Sequence, residues 1–254
     1  MRSARLVVRT VGRLLAWLVL VALSAPQAAR PAELSGALLG IDPSFAPLFD
    51  RRPYGVVLQR TRHLDAEALR LALGEPSIAG NTELGDGHRL LRLDRFGRHV
   101  DDELKGALHT VDEVILDLRY NQGGLMRRML RVAARFTGPV PRALELVADE
   151  GVTVLAIPPP SGAVWRGRLT VLVGPLTISS GEVLAALLRR HAGATVLGER
   201  TFGKDYVLRV EQLGHGWQAL IPDGRIVVPG EDLTGGLRPD GPIPQPLAAS
   251  LPTH

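Results

Sequence analysis

Three short, mostly apolar runs, each followed by a stretch of helical spacing, constrain what this chain can fold into. They are Val114-Ile115-Leu116-Asp117-Leu118, Leu169-Thr170-Val171-Leu172-Val173 and Ala194-Thr195-Val196-Leu197. Runs this brief and this apolar read as strands covered on both faces, which is the situation of a parallel sheet packed between helices. Helical spacing is carried by residues 100–108, 126–136 and 182–191. His88-Arg89-Leu90-Leu91-Arg92-Leu93 reads as another strand, residues 80–87 as turn-rich, and residues 206–228 as β-hairpin material ahead of a proline-rich end. Alternating strands and helices argue for an α/β layered fold, and no internal repeat interrupts it.

The N-terminus has a different character. Arg2, Arg5, Arg9 and Arg13 precede the unbroken apolar run from Leu14 to Leu23, and small residues follow at Ser24, Ala25, Ala28 and Ala29. A basic n-region, an apolar run near the ~7–15 residues of a signal-peptide h-region and a small-residue zone mark an exported protein, periplasmic or secreted. The run is shorter than the ~20 residues a spanning helix needs; left uncleaved, the segment would instead tether the chain to the membrane. Residues 1–29 are therefore set apart as a signal peptide or N-terminal anchor. Residues 30–84 form a small N-terminal segment: an irregular, proline-rich arm over residues 30–55 and a helix over residues 63–73 that ends at Gly74. Residues 85–254 form the core domain.

Composition narrows the chemistry. At 254 residues, 45% hydrophobic, the chain can bury a core without covalent staples. It has no cysteine, so disulfides, thiolate metal sites and a cysteine nucleophile are excluded. The net charge of +4 does not indicate nucleic acid, because the arginines are scattered and aromatics are only 4%, leaving few surfaces for bases to stack on. Of the 30 basic residues, all but Lys105 and Lys204 are arginine. Arginine keeps its proton at any working pH, whereas a desolvated lysine can lose it. Lys105 lies in the polar run Asp101-Asp102-Glu103-Leu104-Lys105 and reads as solvent-facing; Lys204 does not.

Three segments carry chemistry, each where a strand gives way to a turn, the place where α/β folds put their sites. The first is Leu116-Asp117-Leu118-Arg119-Tyr120-Asn121-Gln122-Gly123-Gly124, whose glycine pair can turn sharply and expose N–H groups to an oxyanion, or can simply be a turn. The second, Gly174-Pro175-Leu176-Thr177-Ile178-Ser179-Ser180-Gly181-Glu182-Val183, places a serine hydroxyl at a helix N-terminus. Free N–H groups there favour developing negative charge, although Ser179 or Ser180 also suits a plain N-cap. The third, Gly198-Glu199-Arg200-Thr201-Phe202-Gly203-Lys204, ends on the lysine. Burial beside apolar groups such as Phe202 would let its neutral amine take a serine proton; an exposed loop lysine is the plainer alternative.

Together these segments resemble the C-terminal processing, or tail-specific, serine proteases. Leu116 to Gly124 matches the family's Leu-Asp-Leu-Arg-x-Asn-x-Gly-Gly, Ser179 falls at the serine after Thr-x, and Lys204 closes Thr-Phe-Gly-Lys 25 residues later. Gly236-Leu237-Arg238-Pro239-Asp240 resembles the closing Gly-x-x-Pro-Asp. The resemblance implies a Clp protease/crotonase-like layered core, a polypeptide substrate, and no metal or organic cofactor. It further implies Ser179 as nucleophile, Lys204 as general base, and Gly123 and Ser180 as the oxyanion-hole donors.

The departures set further expectations. The family's PDZ module has no room between the leader and Gly85. Leu208 stands where many members carry a glutamine that orients the amine, Gly181 replaces a commoner serine, and Asp205 follows the lysine where it would pair with the amine and raise its pKa. A catalytically impaired, peptide-binding relative, with Asp205 and Leu208 marking a decayed base, is the alternative. A Ser-His-Asp hydrolase would draw on His88, His99, His109, His191 or His215, but none lies in a recognisable motif and no Gly-x-Ser-x-Gly elbow occurs. A crotonase-type acyl-CoA enzyme would share the fold, but an exported chain has little access to its substrate.

Overall fold

The computed structural model describes residues 57–60, 76–85, 87–109, 111–214 and 217–251. The leader, the arm and the helix expected over residues 63–73 lie outside these. The chain divides into two compact units, one of Met1–His63 with Leu208–Asp223 and one of Leu64–Val207 with Gly224–His254. In the first unit β1 (Val57–Arg60) pairs antiparallel with the leading half of a later strand, from Val57 opposite Leu220 to Arg60 opposite Trp217.

The second unit is built on a five-stranded sheet, in the order β2 (Ile78–Gly85), β3 (His88–Leu93), β4 (Glu113–Asp117), β7 (Arg168–Val173) and β8 (Thr195–Gly198). β2 and β3 are antiparallel; β3, β4, β7 and β8 run parallel, with Leu91 level with Leu116, Leu116 with Val171 and Val171 with Val196. Strand side chains alternate between faces. Leu91, Leu93, Val114, Leu116, Val171, Val173 and Val196 accordingly enter one large core, while Leu90, Ile115 and Leu172 enter a second cluster on the other side with Leu251 and Leu247. This double coverage accounts for the continuously apolar runs, and the layered α/β core is present.

Helices α1 (Val100–Ala107), α2 (Met126–Thr137) and α3 (Ser180–Ala192) supply one covering layer. In α3 every residue from Ser180 to Leu188 is buried, the condition of a helix enclosed all round. α1 is tied down by Glu103, whose carboxylate accepts the Ser77 N–H at 2.8 Å, the Ser77 hydroxyl at 3.2 Å and the Ile78 N–H at 2.9 Å where the chain enters β2.

Several elements depart from expectation. Residues 80–87 are not mainly turn: most belong to β2, whose register shifts fall at Gly80 and Gly85, so these glycines mark irregularities within a strand that runs across residues 84–85. β5 (Val140–Ala148) and β6 (Gly151–Ile157) form an antiparallel hairpin that the sequence pattern does not announce, because much of β6 is exposed on both faces and shows no clean alternation. β9 (Tyr206–Gly214) and β10 (Trp217–Val227) are the expected hairpin strands, and the last residues of β10 pair with β5, Arg225 opposite Val147. The proline-rich end contains α4 (Gln245–Ser250), which brings Leu247 and Leu251 onto the second cluster.

Leu116 is fully buried at the centre of the sheet. Leu116→Ala is expected to destabilise the fold by about 2–5 kcal/mol, the cost of lost burial plus a cavity. A urea midpoint unchanged from wild type would contradict this account of the core.

Candidate active site

β4, β7 and β8 are parallel neighbours, so their C-terminal ends open on one edge of the sheet, and all three motif segments leave from there. The first segment begins with a clamp. The buried Asp117 carboxylate receives Arg119 through Nε at 2.9 Å and Nη2 at 2.7 Å, and receives the Arg119 N–H at 3.0 Å. Asn121, completely buried, then donates from Nδ2 to the Leu93 carbonyl at 2.8 Å. Its backbone carbonyl accepts the Ile178 N–H at 2.9 Å.

The first and second segments are stitched at two further points. Thr177 Oγ1 donates to the Leu118 carbonyl at 2.8 Å, and Ser180 Oγ donates to the Gly124 carbonyl at 2.9 Å. Gly123 sits in the left-handed region at φ 88°, where a Cβ would lie 2.8 Å from the Ile178 carbonyl and 3.1 Å from the Ser179 Cβ. Only glycine allows this approach, which sets the glycine turn directly against Ser179 and Ser180. Gly181 is similarly hemmed in, since a Cβ there would meet the Asn121 carbonyl at 2.8 Å. That contact gives a physical reason for glycine where the resembling pattern commonly has serine.

Ser179 is the one non-glycine residue with positive φ among the described residues (φ 56°, ψ −120°). Such a conformation costs about 1–3 kcal/mol and persists only where the surroundings over-determine it. It also occupies the N-cap position of α3, so cap and candidate nucleophile are the same residue rather than competing assignments. The Ser180 N–H opens the helix and takes no acceptor among the described residues. The Gly123 N–H donates to Asn121 Oδ1 at 2.9 Å, so only one of the two expected oxyanion donors is without an acceptor.

The residue that joins the second segment to the third is Glu182, which the motif contains but whose part sequence reasoning missed. Its side chain is buried and accepts from four donors. Oε1 takes the Thr201 hydroxyl and the Gly203 N–H, both at 2.6 Å, and Oε2 takes the Ser179 N–H at 2.7 Å and the Lys204 N–H at 2.9 Å. The backbones of Ser179 and Lys204 thus meet on one carboxylate oxygen. No hydrogen bond joins Ser179 Oγ directly to Lys204 Nζ. In the sequence Glu182 shows as the closing acid of Thr-x-Ser-x-x-Glu and as an acid in the first turn of a helix, a place that serves equally well for an ordinary cap.

Lys204 is half-buried. Desolvation pushes its amine below the ordinary lysine value, and the charge of Glu182 opposes part of that shift. The expected pairing with Asp205 is not found. Asp205 is buried and its carboxylate receives Arg225 Nε at 2.9 Å, so it is committed to β10 and does not hold the lysine charged. Two of the candidate histidines stand away from Ser179: His88 opens β3 at the opposite edge of the sheet, and His191 lies near the far end of α3, about 18 Å along the axis. His215 lies outside the described residues.

Residues 89–243, more than half of the chain, match the profile of Peptidase family S41. The chain belongs to that family. It is 32% identical over 164 residues to the carboxyl-terminal-processing protease of Synechocystis sp., covering 62% of this chain and 38% of the relative. It is 30% identical over 144 residues to the chloroplastic carboxyl-terminal-processing peptidase 3 of Arabidopsis thaliana, covering 55% and 28%. The S41 chain therefore spans less than two-fifths of the length of these relatives. Among solved structures it is similar to the photosystem II D1 C-terminal processing protease, with a TM-score of 0.53 and 26% identity over 74% of this chain and 48% of that one. It is also similar in fold to a lipoprotein from Streptococcus agalactiae, with a TM-score of 0.59 and 18% identity over 72% and 71% of the two chains.

In this S41 chain the closing Gly236–Asp240 motif acts as backing for the site. The Leu237 N–H donates to Thr201 Oγ1 at 2.7 Å, and Asp240 Oδ2 accepts the Val196 N–H at 2.8 Å. Arg189 of α3 reaches Asp240 Oδ1 at 3.1 Å. Glu182→Gln is expected to cost about 1–3 kcal/mol in chemical denaturation, because a neutral amide presents one acceptor oxygen where four donors converge. A variant as stable as wild type would refute the linking role of Glu182.

Proposed function

We propose that this S41 chain is a serine endopeptidase working through an acyl-enzyme, with Ser179 as nucleophile and Lys204 as general base. The observation that carries the reading is the convergence of the Ser179 and Lys204 amides on Glu182, beside a serine in a strained backbone conformation at a helix N-terminus. Loss of the Asp205 pairing removes a reason to read the lysine as a decayed base.

In this mechanism the neutral Lys204 amine takes the Ser179 hydroxyl proton as Oγ attacks the scissile carbonyl of a polypeptide. The tetrahedral oxyanion is met by the Ser180 N–H, reinforced by its place at the start of α3, and by the Gly123 N–H once it leaves Asn121 Oδ1. The lysine then gives its proton to the departing amine. In the second half-reaction it takes a proton from water as the water oxygen attacks the acyl carbon, and passes that proton to Ser179 Oγ as the ester bond breaks. These steps need no metal or organic cofactor. Apo hydrogen bonds between base and nucleophile are often long and tighten when substrate binds, so the absence of a direct Oγ–Nζ bond is compatible with the dyad. The exported location rests on residues 1–29 alone.

A fluorophosphonate probe is expected to label the wild type and not Ser179→Ala, with Lys204→Ala slowed by roughly 10²–10⁴-fold. Labelling that survives Ser179→Ala would overturn the assignment. Because burial lowers the Lys204 pKa, the neutral base becomes available at a lower pH than for an exposed lysine. The labelling rate should rise with pH through a limb below the ordinary lysine range, and a limb at the free-lysine position would count against the reading.

A further inference from the structure

We propose that Tyr206 is the positioning residue for the Lys204 amine, holding Nζ against its ring face; this inference rests on the reading of Lys204 as the general base. Nζ lies 5.7 Å from the Tyr206 ring centroid, within the roughly 6 Å reach of a cation–π contact. Among the described residues no oxygen accepts a hydrogen bond from Nζ. Glu182, the charged group acting on it from α3, has both carboxylate oxygens occupied by other donors. The adjacent Asp205 is committed to Arg225 of β10. Two positions beyond Tyr206, Leu208 has no side-chain polar atom to offer.

A lysine that must be neutral to work poses a particular difficulty. Its four rotatable bonds leave the amine free to wander, yet a carboxylate partner that fixed it would also stabilise its charged form. A ring face eases the conflict, because it packs against the amine and excludes water in either protonation state, while its attraction for the ammonium is much weaker than an ion pair. Tyr206 opens β9 two residues after the lysine, so the strand that begins there sets the ring, and the ring in turn limits where Nζ can go.

The test compares Tyr206→Phe, Tyr206→Leu and Lys204→Ala in the full chain, reading the pH dependence of fluorophosphonate labelling beside the thermal midpoint. Tyr206→Phe keeps the ring face and should label within about twofold of wild type. Tyr206→Leu should lower the plateau rate about tenfold, since a base no longer held in place is less often in the geometry that takes the Ser179 proton. Its acidic limb should move down by about half a pH unit, because the ring face favours the ammonium and its loss lowers the lysine pKa. General loosening would admit water and move the limb upward instead.

Tyr206→Leu with a wild-type plateau and limb overturns the proposal, as does an upward limb or an equal loss in Tyr206→Phe. Should Tyr206→Leu not fold, Tyr206→Met is read by the same criteria. Lys204→Ala separates the two claims. If it labels like wild type, the general-base reading has failed and the inference with it; if it is slow while Tyr206→Leu behaves as wild type, only the role of Tyr206 has failed.

Discussion

A carboxylate buried at the start of α3 organises the candidate site. Glu182 carries a charge that would be very costly to hide without partners, and it is hidden among four donors, one at the N-cap of its own helix and three from the loop after β8. The arrangement works in both directions. The donors make burial of the charge tolerable, and the charge makes any displacement of Ser179, Thr201, Gly203 or Lys204 expensive, because each would leave a buried acceptor short of a bond. Two loops from different strands are thereby locked in mutual register with no hydrogen bond between the side chains expected to react.

The remaining geometry follows from close backbone approach. Gly123 and Gly181 let peptide groups approach where any Cβ would collide, and Asn121 bonds to Leu93 through its side chain and to Ile178 through its carbonyl. The strain at Ser179 is held by this frame and is not relieved within it. Electrostatics then act on a fixed scaffold. Asp205 is drawn to Arg225 and Asp117 to Arg119, so the acids flanking the motif lysine and the glycine turn are each neutralised by an arginine. In a chain that writes nearly all its cations as arginine, these pairings leave the half-buried lysine as a motif cation whose protonation the surroundings shift.

Much of this was legible in the sequence wherever one residue type was forced. The strands covered on both faces announced themselves through Val114–Leu118 and Leu169–Val173, since only double burial tolerates such runs. The three motif segments were visible because glycine, serine and lysine are hard to replace at their positions. What escaped was set by tertiary partners. Nothing local distinguishes an Asp205 that pairs with Lys204 from one that pairs with Arg225 in a strand twenty residues later. Glu182 looked like a cap because it is one, and its three other donors are supplied by a loop far along the chain. β6 lacked a periodic signature since neither of its faces is wholly covered, and β2 hid behind glycines that punctuate a strand as readily as a turn.

The backing provided by Gly236–Asp240 has a consequence for the order in which the site can be completed during synthesis. Thr201 rests on Leu237, β8 rests on Asp240, and α3 is fastened through Arg189 to the same stretch, all of it later in the chain than any candidate reactive residue. A ribosome-bound chain that has exposed Ser179 and Lys204 but not yet Leu237 holds the chemical groups without the brace that aligns them. The alignment of the candidate residues is therefore a property of the whole folded core and depends on its last-made stretch.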